Sequence, residues 1–205
     1  MHNKTILSSL FLAMLAVLCA SCTPLSTFPT EGKGEPLLPW MYPVPQVMAK
    51  SLARTYEKTL PSDSRSDHPL LFNLPEGVSE NVWKQVAIDT GIEGARAATQ
   101  EDLDNGSMIW SVQRVAVRGL KVKVDVVYEV DDVYQLAIVS LTAPPLQPFR
   151  VTAFQRLLIS ADKPVINYPV DESVEEISTN EDLEVSLEES SEGESDVEVG
   201  DKADS

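Results

Sequence analysis

From residue 121 to residue 130 the chain alternates. Val122, Val124, Val126, Tyr128 and Val130 interleave with Lys121, Lys123, Asp125, Val127 and Glu129. Successive side chains of a strand point to opposite faces, so this segment requires one buried face and one wet face. On a helix the same residues would scatter around the axis and bury nothing coherent. The segment therefore demands a sheet, and something apolar to cover one side of it.

Its neighbours supply the sheet. Met108 to Val117, Leu120 to Val130, Tyr134 to Thr142 and Val151 to Ser160 read as four strands rich in valine, isoleucine and aromatic residues. Arg118-Gly119 makes a tight turn between the first two, and Asp131-Asp132 turns the next pair. Ala143 to Pro148, with three prolines, is a longer connection. Ala95 to Thr99 can add a short strand, with Gln100 to Gly106 as its loop.

The cover comes from two segments of helical period. In Pro45 to Leu60, Val44, Met48, Leu52, Tyr56 and Leu60 recur every four residues, and Pro61 forces a stop. Pro45 suits the first helical turn, where a missing N–H costs nothing. In Ser79 to Thr90, Ser79 can cap the N-terminus, and Gly91 is placed to end the helix in the left-handed conformation. The expected fold class is α+β: two N-terminal helices packed on a four-stranded antiparallel β-meander. This element order, over residues 45 to 160, loosely resembles the cystatin or nuclear-transport-factor-like class. The resemblance implies a pocket between helices and sheet, where Trp83, Trp110, Tyr128 and Phe154 would stand, or a plain core made of the same residues.

Charge divides the chain. The net charge is −16. Residues 171–205 hold 15 acidic residues and one lysine, leaving 17 acidic and 15 basic residues for the first 170. The last segment is too polar to offset the entropy of ordering and reads as a disordered acidic tail. The rest is nearly neutral and has no basic patch, so nucleic-acid binding has no support.

The N-terminus carries an address. Lys4 precedes an uncharged run, Ile6 to Leu18, too short to span a bilayer. Leu18-Cys19-Ala20-Ser21-Cys22 follows. This stretch resembles the lipobox of a bacterial lipoprotein signal, with Cys19 in the place usually held by leucine. The resemblance implies cleavage before Cys22 and acylation there with fatty chains such as palmitate. It also implies a membrane partner held through that lipid, on the exported side of the cell envelope. Thr23 stands where an inner-membrane retention signal would place aspartate, which favours an outer or surface membrane. Ordinary cleavage near residues 20 to 22, releasing a secreted protein, is the alternative.

The expected organisation is a signal peptide over residues 1–21 and a tether rich in Pro, Gly, Ser and Thr over 22–40. A single α+β domain over 41–170 and the tail over 171–205 complete it. Extended, residues 23–39 reach at most about 60 Å, enough to lift a domain clear of a membrane. Leu37, Leu38, Trp40 and Met41 are too apolar for an exposed linker and are expected to pack.

Cys19 and Cys22 are the two cysteines, and His2 and His68 the two histidines. After cleavage no disulfide framework, cysteine-ligated zinc site or cysteine nucleophile remains, and an HExxH helix lacks its histidines. Weaker candidates each have a plainer explanation. Arg114, Arg118, Lys121, Lys123 and Arg150, with Trp110, can form an anion-binding face or a merely solvated one. His68 beside Asp63 and Asp67 can act as a base or sit exposed in a loop. Glu129 with Asp131 and Asp132 is short of the ligands calcium needs, and Glu101, Asp102 and Asp104 read as an acidic loop. Asn105-Gly106-Ser107 is a glycosylation sequon that has meaning only in a eukaryote. No metal or cofactor is expected. The functional expectation is a non-enzymatic binding or structural module on a membrane anchor, with a protein or other envelope component as partner. The alternative is a small-ligand-binding or enzymatic domain using the pocket.

Overall fold

The computed structural model describes residues 24–32 and 35–170. The signal-like segment, Cys22 and the acidic tail lie outside the described residues.

Helix α1 (Val44–Thr59) carries the expected stripe: Val44, Val47, Met48, Leu52 and Tyr56 are buried. Leu60 closes it in an extended conformation, the one a residue before proline prefers. Pro45 falls within the first turn, one residue beyond the start. Helix α2 (Glu80–Asp89) buries Val82, Trp83 and Val86. Ser79 stands at its N-cap position without a side-chain cap bond. Gly91 follows at φ 67°, the left-handed stop that glycine permits.

The four long strands are β5 (Ile109–Arg118), β6 (Lys121–Val130), β7 (Val133–Thr142) and β8 (Arg150–Ser160), each antiparallel to the next. Asp131 and Asp132 both have positive φ, as a type I′ hairpin turn requires. One face of this sheet packs on α1 and α2. Val122, Val124, Val126 and Tyr128 of β6 are buried there with Val115, Val139, Leu141, Phe72 and Trp110.

The expected architecture of two helices on a four-stranded meander is incorrect. The described residues form three helices and an eight-stranded mixed sheet. The four additional strands are β1 (Ser26–Phe28), β2 (Glu35–Pro36), β3 (Leu71–Asn73) and β4 (Arg96–Ala97). They gather on the edge of β5 that β6 leaves free. β3 pairs in parallel with Ile109–Ser111, and β1 pairs antiparallel with Val115–Val117. β4 and β2 extend those two strands outward. β4 falls within Ala95–Thr99, where a short strand was expected; the other three are too short for alternation to reveal, and they exist because a ten-residue strand offered an unpaired edge. The element order that carried the cystatin and nuclear-transport-factor resemblance is thus not the one observed.

The third helix, α3 (Gln100–Asp104), replaces an expected loop. Thr99 and Asp102 form a reciprocal capping box at its start. Part of the segment expected as a tether belongs to the fold: Ser26–Phe28 and Glu35–Pro36 are in the sheet, and Thr27 and Phe28 are buried.

After β8 the chain runs as a strap across the outer face of the sheet. Asn73, buried on β3, fastens it. Its Nδ2 donates to Ser111 Oγ and to the Val165 carbonyl, both at 2.9 Å, and its Oδ1 accepts from the Asn167 N–H at 2.9 Å. Asn167 Nδ2 donates to the Leu74 carbonyl at 2.8 Å. Ile166 of the strap joins Leu71, Ala98, Leu103 and Ile109 in a second, smaller core on that face.

Candidate binding groove

Lys50, Arg54 and Lys58 recur every four residues along α1 and so fall in one row. The row faces β8, the last strand of the sheet, whose far side pairs with no other strand among the described residues. Between them lies an open groove of about 560 Å³. Arg54 and Lys58 line it from the helix, Phe154 and Arg156 from the strand. Arg156 donates to the Lys58 carbonyl, and Lys50 Nζ donates to the Phe149 carbonyl at 2.6 Å. These bonds tie the edge strand to the helix and fix the groove's width. Arg54 Nη1 contacts Glu57 at 3.3 Å, while its Nε is buried with no hydrogen-bond partner.

The chemistry of this arrangement is recognition. Three cations and an aromatic ring line one groove beside an unpaired strand edge. Such an edge offers main-chain N–H and C=O groups to an extended chain, and the cations favour carboxylates or phosphates. Thr152, also in the lining, has its hydroxyl committed to the Ser140 carbonyl at 3.1 Å.

The structure distributes the sequence candidates differently. Trp83 stacks on Phe72 at 5.7 Å, and Trp110 meets Tyr56 edge-on at 5.1 Å while its indole N–H donates to Thr59 Oγ1 at 3.0 Å. With Tyr128, which is wholly buried, they fill the interior in place of lining a pocket. Phe154 alone of that group reaches an open surface.

Arg114 is not free for an anion. It binds Asp125 at 2.7 Å and Glu31 at 2.8 Å, and these bonds raise its pKa above the ordinary arginine value, Glu31 most. Arg118, Lys121, Lys123 and Arg150 are exposed. The first two face each other across the β5–β6 turn.

His68 and Asp67 line a depression of about 370 Å³ with Arg96, Asp102 and Asn105–Ser107. Asp102 is no base there. Arg96 grips both of its oxygens at 2.7 Å and Thr99 binds one of them, which holds the carboxyl well below the usual carboxylate range. Asp104 accepts from Gln100 at 2.8 Å. Asp131 and Asp132 serve their turn. No cluster of three metal-ligating side chains occurs among the described residues.

The sequence reading missed the groove because its cations come from a helix and a strand about a hundred positions apart. The four-residue spacing of Lys50, Arg54 and Lys58 was visible, and so was the strand over Val151 to Ser160, but not that the two would face each other.

No family model matches the chain, no curated protein matches it, and no solved structure matches its fold.

Proposed function

We propose that this chain is a membrane-anchored envelope lipoprotein. Its folded domain is a non-enzymatic binding module, and an envelope component with acidic groups along an extended chain occupies the α1–β8 groove. The observation that carries the binding reading is that Arg54 and Lys58 from α1 and Phe154 and Arg156 from β8 line one groove beside an unpaired strand edge. The anchor reading rests on Leu18-Cys19-Ala20-Ser21-Cys22 behind the apolar run, with acylation at Cys22 on the exported side of an outer or surface membrane.

Two measurements test the halves separately. Metabolic labelling with a clickable fatty acid should mark the wild-type chain and not Cys22→Ala; an unmarked wild type rejects the anchor. For the groove, a photo-crosslinking residue is placed at Thr152 in the intact envelope, with Gln85 on α2 as the control position. Adducts are expected from position 152 and should disappear when Lys58 and Arg156 are both changed to glutamate. Equal adducts from positions 152 and 85 would remove the groove from consideration.

A further inference from the structure

One end of the domain is apolar where water should meet it. Trp40, Met41 and Tyr42 are consecutive in the turn before α1, and they are 47, 52 and 63% exposed. Tyr42 lines a depression of about 500 Å³ with Leu120 of the β5–β6 turn and Leu146 of the β7–β8 loop. Leu120 is 55% exposed, and Leu146 wholly so. The loop and the turn are joined by a bond from the Ala143 N–H to the Leu120 carbonyl at 2.9 Å. Leu146 also has φ 59°, a left-handed conformation that a leucine adopts only under strain. A strained leucine presented to solvent, next to exposed aromatic and aliphatic side chains, is a feature that folding alone would not retain.

The chain's path identifies what meets this end. Ser26 pairs with Val117, so Leu25 emerges beside Arg118 at the β5–β6 turn. Three residues separate Cys22 from Ser26, so the two lie at most about 14 Å apart along the chain. A lipid on Cys22 would therefore enter its bilayer at the apolar end, not some 60 Å away. The charges fit such a surface. Arg118 faces Lys121, Lys121 faces Thr142, and Thr142 faces Arg150, so three exposed cations cross the same end of the sheet. Glu35, exposed on β2 opposite Ser26, is an acidic side chain on the strands beside them. Tryptophan and tyrosine favour the headgroup boundary, where the ring is apolar and the handle is wet, and cations beside them attract anionic headgroups.

We infer that this end docks on an anionic lipid surface, with Trp40, Met41, Tyr42, Leu120 and Leu146 inserted at the acyl boundary and Arg118, Lys121 and Arg150 on headgroup phosphates. The orientation rests on the lipoprotein reading. It turns the flexible-leash picture into a domain seated on its membrane, with the α1–β8 groove held at a set angle to it.

Tryptophan fluorescence tests the insertion. Trp83 and Trp110 are 4 and 1% exposed, which leaves Trp40 as the accessible reporter. The full chain is reconstituted in vesicles of phosphatidylethanolamine and phosphatidylglycerol, with and without bromine on the acyl chains. Loss of most of the Trp40 emission in the brominated vesicles is expected, with no bromine-dependent loss in Trp40→Phe. The loss should shrink in Leu120→Glu/Leu146→Glu. Equal emission in both vesicle types overturns docking, and so does Trp40 shielding that arises from self-association without bromine quenching. Fatty-acid labelling of the same preparation separates the two readings. Label without quenching leaves the anchor and removes the docking, whereas quenching without label leaves the docking and removes the anchor.

Discussion

The two faces of the sheet are closed by different means. The inner face is covered by α1 and α2 through a continuous apolar core that runs from β5 to β7. Among the described residues, α3 and the strap of residues 161–170 cover part of the outer face, over a core of five residues. What the outer cover lacks in apolar area it replaces with directed polar bonds: the Asn73–Asn167 clasp and the Arg96–Asp102–Thr99 cluster. Apolar burial is nondirectional and tolerates small shifts, whereas a buried amide requires its partners in place. The inner face should therefore account for most of the stability, and the outer face for the register of the pieces laid upon it.

The largest break in this comparison is Tyr128→Ala on the inner face. Removing a wholly buried aromatic side chain should cost about 3–5 kcal/mol, read as a lowered urea midpoint with the folding transition still cooperative. A loss below 1 kcal/mol would mean that the inner core is not the principal one.

Asn73→Ala comes next, on the outer face. It removes a fully buried amide and leaves the Asn167 N–H without its acceptor, so a loss of about 1–3 kcal/mol is expected. Hydrogen exchange should accelerate selectively along 161–170. Uniform acceleration through the sheet would show that the strap is not an independent cover.

The smallest effect is a pH dependence at Asp102. Its folded-state pKa is depressed, chiefly by Arg96, so its contribution is complete above the unfolded carboxylate value of about 3.9 and is lost as pH falls below it. Asp102→Asn should be less stable than wild type at neutral pH and converge with it in acid. Parallel stability curves down to pH 2 would assign the acid sensitivity to other carboxylates.

The inner face was the legible one. The four-residue period in Val44–Leu60 states locally which side is buried, and the observed burial follows it; the alternation in Lys121–Val130 does the same for its apolar face, but of the face expected to be wet only Lys121 and Lys123 are exposed, while Asp125 and Val127 are buried. The outer face left no such trace. β3 is three residues long, and Asn73 within it looks like a turn residue until Ser111, 38 positions away, and Asn167, 94 positions away, are brought to it. Leu37, Leu38, Trp40 and Met41 show the limit in the opposite direction. All four were expected to pack, yet only Leu37 does so against the core, and the other three are exposed. Apolar composition states that a residue is costly in water; it does not state whether protein or something else covers it.

Local periodicity and turn chemistry were sufficient to define two amphipathic helices, four long strands, their hairpin turns and the charge division at residue 171. These properties depend on neighbours within a few positions, so they are written where they act. The eight-stranded mixed sheet, the strap, the groove and the apolar end were decided by tertiary structure. Each arises from pairing between segments distant in the chain, where an unpaired strand edge or an uncovered face selects its partner by geometry that no local pattern records.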